Sequence, residues 1–159
     1  MAASPATPEP TEVFFSYAHE DEQLMKELVK HLGILKRQGV IRGWRDRNIA
    51  AGTEWNEQIE RYLNTAGVIL LLVSADFISS DYAWGVEVSR AMERHHAGEA
   101  RVIPVILRPV EGWLAAPFGK LQAAPTDGRP VTSWPNRDAA FADVAGHIRR
   151  SVEELRNPQ

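Results

Sequence analysis

GVILLLVS, Gly67 to Ser74, is the most hydrophobic run in the chain, and its reading decides the fold. Val68 to Val73 are all apolar, so no side of a strand built from them is left for water; that is the pattern of a strand covered on both faces. Such a strand lies at the centre of a parallel sheet, and the segments flanking it should be the helices that cover it. Before it, Trp55, Ile59, Leu63 and Ala66 recur at helical spacing, with Thr53 or Glu54 near the cap and Gly67 as the stop. After it comes FISSDYAWGVEVSRAMERHH, Phe77 to His96, where Ser80 and Asp81 make a good helix opening. A Ser side chain accepts from the free N–H groups, and a carboxylate suits the positive end of the helix. Trp84, Val88, Ala91, Met92 and His95 share one arc of this helix, and Glu87 sits at its border.

Moving outward, the first strand is Glu12 to Tyr17, EVFFSY, followed by a helix with Asp21 as its cap and Leu24, Leu28, Leu32 and Leu35 as its stripe. Gly39 ends that helix. Val40 to Trp44 is a short second strand leading into the loop RDRNIAAGTE, which Gly52 allows to turn. Beyond Gly98, Arg101 to Leu107 forms the fourth strand, with a local gap in pairing expected at Pro104. Pro109 to Pro130 is irregular and anchored by Trp113, Phe118 and Leu121. A fifth strand, Pro130 to Trp134, precedes a last helix capped at Asn136 or Asp138, with Phe141, Val144, Ala145, Ile148, Val152 and Leu155 on one face. Strand and helix alternating in this way require right-handed crossovers, so the fold class is α/β: a flavodoxin-like open parallel sheet of five strands, order 2-1-3-4-5, with helices on both faces. Residues 1–11, rich in Ala and Pro, read as a flexible leader, and 12–157 as a single domain.

Composition narrows the function. The net charge of -3 and the scattered basic residues give no footprint for nucleic acid. With no cysteine, neither a disulfide framework, a thiolate nucleophile nor a Cys-based zinc site is available. No signal peptide opens the chain and Val68 to Val73 is too short to cross a bilayer, so a cytoplasmic protein without membrane attachment is expected. No GxGxxG follows the first strand and no GxxxxGK[ST] occurs, which removes the usual dinucleotide and phosphate-loop fingerprints. A receiver domain would need an Asp at the end of the third strand, where Ser74 stands. There is no HExxH, and His95 and His96 point in different directions, so no metal is expected. What remains is Glu87, held half out of water near the edge where open α/β sheets bind ligands. By geometry alone the more ordinary reading is a solvated helix Glu paired with Arg90 at i+3, since such pairs are common.

Three stretches carry a resemblance. VFFSYAHED is similar to the first-strand signature of Toll/interleukin-1 receptor (TIR) domains, GWRDRNIAAGTEW resembles their second strand and BB loop, and SSDYAWGVE resembles the segment bearing their catalytic glutamate. The wording is closest to bacterial members, and the resemblance covers roughly Glu12 to Leu155. It implies an NAD+ glycohydrolase with Glu87 in the catalytic position, NAD+ as substrate and no other cofactor. The products would be nicotinamide and ADP-ribose or a cyclised ADP-ribose. It also implies a homo-oligomer formed through the BB loop and helix C, in bacterial defence or signalling, with a fused or partner sensor domain. The family equally contains adaptors that self-associate without turnover. Phe15, Ser16 and Tyr17 end the first strand beside Glu87 and are candidates for a wall against nicotinamide or ribose, with strand packing as the other reading. Trp44, Asp46 and Arg47 open the BB loop, where the family gates its cleft, and Arg45 or Arg47 could meet the pyrophosphate. Many members carry Trp four residues before the Glu; here that place is Ala83, and Trp84 is a substrate-binding candidate for which core packing is the competing role.

Overall fold

The structure, a computed structural model, describes residues 9–43 and 55–157. Among the described residues, β1 (Thr11–Ser16), β2 (Ile41–Gly43), β3 (Val68–Val73) and β4 (Arg101–Ile106) form one parallel sheet in the order β2-β1-β3-β4. All six residues of β3 are buried, as the unbroken apolar run requires. Val68, Leu70 and Leu72 join a core with Phe15, Leu28, Phe141 and Ile148, under α1 (Glu22–His31) and α6 (Arg137–Arg156). Ile69, Leu71 and Val73 join a second core with Phe14, Ile59, Val88 and Phe118, under α3 (Trp55–Thr65) and α5 (Ser89–His96). Each such side chain contributes roughly 1.5–3 kcal/mol on full burial, so this one strand weighs as much as the net stability of an ordinary domain.

Several expectations are corrected. The first helix is interrupted at Leu32, after which α2 (Gly33–Arg37) continues it. Asp21 does not cap α1: its side chain makes no capping bond and is buried elsewhere, as described below. Of the two candidate caps for α6, Asn136 is the one used, its Oδ1 accepting from Ala139 N–H at 2.9 Å. Among the described residues the sheet has four strands, not five. In place of the strand expected at Pro130 to Trp134, Val131–Ser133 forms a 3-10 turn, and the outer edge of β4 is taken instead by Ala124. Ala124 N–H donates to Pro104 O and Ile106 N–H donates to Ala124 O, both at 2.8 Å. A strand residue directs its N–H and C=O to the same side, so the donor that Pro104 lacks would have faced that outer edge. The β3–β4 ladder is therefore continuous from Val68↔Arg101 to Val73↔Ile106, and the gap expected at Pro104 does not occur there.

His95 blunts the same edge. Its Nδ1 accepts from Val102 N–H at 3.1 Å, a bond that needs the ring nitrogen's lone pair and so the neutral imidazole. Burial, with His96 and Arg101 adding like charge, lowers its pKa from the ordinary 6.5. The unfolded chain then binds the proton more tightly than the folded one, so this contribution to stability is complete above pH 6.5 and is lost as the pH falls below it. Thermal midpoints measured from about pH 7.5 down to about 5.5 should fall, and His95→Gln should flatten the slope. His147 titrates in the same direction, burial being its largest cause, so the slope should be reduced and not abolished.

Candidate active site

The C-terminal ends of β1 and β3 open on a cleft of about 440 Å³. Two short segments leaving those strands build its rim: the 3-10 turn His19–Asp21 after β1, and α4 (Ala75–Ser79) after β3. Ser74 starts α4 by accepting Phe77 N–H at 3.0 Å. Ser80 then breaks it with an extended ψ of 112° and opens the next helix, its Oγ accepting from Ala83 N–H at 3.2 Å. Ser80 therefore plays the capping role its residue type suggests, whereas the short α4 before it was not anticipated.

The segment from Ala83 to Val88 is a π-helical turn. Such turns bond i to i+5, which widens the helix by one residue and brings positions four and five before Glu87, Ala83 and Tyr82, toward its side. All three line the cleft. Trp84, three before Glu87, is turned away and packs edge-on to Phe118, centroids 6.1 Å apart and planes at 68°. Half-buried, it packs against the core from outside the cleft lining. Phe15 likewise points into the core under α1 and α6, while Tyr17 does line the cleft.

Glu87 is 2 % exposed, and Ser16 Oγ donates to its Oε1 at 2.6 Å. The alternative of a solvated ion pair with Arg90 is overturned: Arg90 binds Glu93 at 3.0 Å and Asn64 at 2.6 Å. The Ser16 hydroxyl thus fixes the carboxylate across 71 residues of sequence. A short bond of this kind orients the acid. Trp44, Asp46 and Arg47 lie outside the described residues.

Behind the rim is a second polar cluster. Asp21, 1 % exposed, accepts from the Ser74 hydroxyl at Oδ2 and from Arg108 Nε at Oδ1, the latter at 2.9 Å. Ser74 is thereby a donor to Asp21 and an acceptor for α4, and the cluster ties the rim to the ends of β3 and β4. An Asp just ahead of a helix reads as a cap from sequence; only the tertiary structure shows that it is a clamp. His19, Glu20 and Asp76 of the rim were also missed, although the polar stretches directly after β1 and β3 are where ligand contacts gather in open α/β sheets. Among the described residues no group of three or more His, Asp or Glu is placed to hold a metal ion, and no helix is long and apolar enough to cross a membrane.

The site thus combines a parallel α/β sheet with a buried carboxylate near the C-terminal ends of its strands, and comparison with known proteins gives the family. Residues 13–142 match the family model of the TIR domain; the chain belongs to that family. It is 57 % identical over 140 residues to the uncharacterized protein y4lF of Sinorhizobium fredii (strain NBRC 101917 / NGR234), covering 88 % of this chain and 43 % of that protein. The chain thus spans less than half the length of the curated relative it matches. Its fold is similar to the TIR domain of the Toll-related receptor TRR-2 from Hydra magnipapillata, with a TM-score of 0.59, 18 % identity, and 91 % of this chain and 98 % of that one covered. It is also similar to the TIR domains of the activated Roq1 resistosome that recognizes the pathogen effector XopQ, with a TM-score of 0.52, 20 % identity, and 94 % and 85 % covered.

Proposed function

We propose that this TIR domain is an NAD+ glycohydrolase that releases nicotinamide, acts in the cytoplasm and is activated by self-association. The observation carrying the reading is Glu87, buried to 2 % at the mouth of the sheet, lining a cleft and held by Ser16. In NAD+ the ribose C1′–N bond breaks with its electron pair passing to a nitrogen that is already cationic, so nicotinamide departs neutral and no general acid is needed. This differs from most glycosidases, where two carboxylates share the work. One carboxylate then suffices to orient the ribose hydroxyls and to stabilise the positive charge that grows at C1′ as the bond opens. Water adds to C1′ and gives up its proton, yielding ADP-ribose; attack by a nucleophile within the same molecule gives a cyclised product instead.

The partner reading, homo-oligomerisation through the BB loop and helix C, is supported by family membership and by the likeness to TIR domains from an assembled resistosome. The greater length of the rhizobial relative supports a fused or partner sensor domain as the source of the trigger. Activity should therefore rise with protein concentration and with cross-linking. Nicotinamide release followed across a concentration series tests this; no release even from cross-linked oligomers would favour a module that only binds other TIR domains. In the same assay Ser16→Ala should lower kcat about tenfold with KM little changed, the loss expected for one hydrogen bond to a charged group.

A further inference from the structure

Among the described residues, the charge of the cleft matches only one end of the substrate proposed for it. Among its described lining residues Glu20, Asp76 and Glu87 are acidic, His19 is the one imidazole, and none is Lys or Arg. Glu20 and Asp76 stand exposed on the rim, on opposite segments, and Glu87 lies below them. Tyr17 and Tyr82 add two ring systems to the lining, Tyr82 being brought beside Glu87 by the π turn and remaining 37 % exposed. Such a wall repels a pyrophosphate and attracts a cationic ring, because carboxylate fields and aromatic faces both favour positive charge.

Resting on the reading of this cleft as the NAD+ site, we propose that it selects its ligand by the positive charge of an N-alkylated pyridinium, with Glu20 and Asp76 supplying the field and Tyr82 the ring face. The ligand class then extends to pyridinium compounds that have no phosphate at all. Neutral pyridines of the same shape, including the nicotinamide product, are held weakly. Departure of the base as a neutral molecule therefore also removes the attraction that held it, and product leaves readily.

The test compares binding of 1-methylnicotinamide, a cation, with nicotinamide, its neutral counterpart, by titration calorimetry or ligand-observed NMR on the full chain. At low salt the cation should bind about five- to tenfold more tightly, and the advantage should shrink as salt is raised to about 0.5 M. Glu20→Gln combined with Asp76→Asn should reduce the advantage to about twofold or less, since two exposed charges are removed from a site where each acts through water. Tyr82→Leu should weaken the cation more than the neutral ring. Equal affinities, a preference for the neutral ring, no measurable binding of either compound, or a preference untouched by the paired rim substitutions would overturn the proposal. These readouts need no turnover. A cation preference in a protein that leaves NAD+ intact supports charge selection and removes the enzymatic reading, whereas NAD+ cleavage without a cation preference removes this proposal alone.

Discussion

Glu87→Gln is expected to reduce nicotinamide release by about 10²- to 10³-fold, the cost typical of removing one preorganised group that stabilises transition-state charge. The amide keeps the size of the side chain and can still accept from Ser16, so the position and packing of the π turn are retained. What it lacks is the negative charge, and charge is the property the chemistry needs: the sugar approaches an oxocarbenium ion as its bond to the base lengthens, and a dipole answers that far more weakly than an anion in a site so closed to water. Binding of the ground state should change less than kcat, because the ribose hydroxyls accept or donate to an amide almost as well. The circular dichroism spectrum should be unchanged. A loss of activity accompanied by loss of fold would assign Glu87 a structural role instead.

Arg94→Met is expected to destabilise the fold by roughly 2–5 kcal/mol, from the buried carbonyls it leaves without a donor. Arg94 projects from α5 with its side chain 6 % exposed. Its Nη1 donates to Leu63 O at 2.8 Å and to Ala66 O at 2.6 Å, and its Nη2 to Glu99 O at 3.2 Å. The first two carbonyls belong to the C-terminal end of α3, where the helix has no further N–H to offer them. Burial pushes the guanidinium pKa down, while Glu99, the carboxylate beside it, opposes the shift. Methionine fills the volume and leaves those carbonyls without a donor, each a loss of about 1–3 kcal/mol. Lysine reaches one carbonyl but not the fan of three, so Arg94→Lys should lie between wild type and Arg94→Met. Chemical denaturation midpoints measure this; a change under about 1 kcal/mol for Arg94→Met would show that water replaces the guanidinium at the end of α3.

The central strand and the two cores were legible because they follow from local rules: an apolar run from Val68 to Val73 can only be covered twice, and an apolar stripe repeats at helical spacing along the 20-residue α6. The fifth strand was misread because VTSW has the β-branched and aromatic composition of a strand, while the deciding fact, Ala124 already seated on β4, is a tertiary one. Glu87 stood out as a carboxylate beside a buried stripe, and the sheet order put the end of the first strand, with Ser16, beside it; that the Ser16 hydroxyl, 71 positions away, bonds the carboxylate is a tertiary fact that no periodicity shows. The π turn explains why Tyr82 and Ala83, and not Trp84, share the cleft with Glu87; an arc drawn at 3.6 residues per turn cannot show it. Asp21 illustrates a different limit, since capping and clamping demand the same carboxylate at the same place in the chain.

The most direct measurement is nicotinamide release from NAD+ by wild type and Glu87→Gln, run side by side on cross-linked protein so that assembly is equal in both. Release by the wild type alone, with matched thermal midpoints, is the predicted result. Equal release by the two proteins would contradict the role given to Glu87, and silence from both would leave the cleft without the chemistry proposed for it.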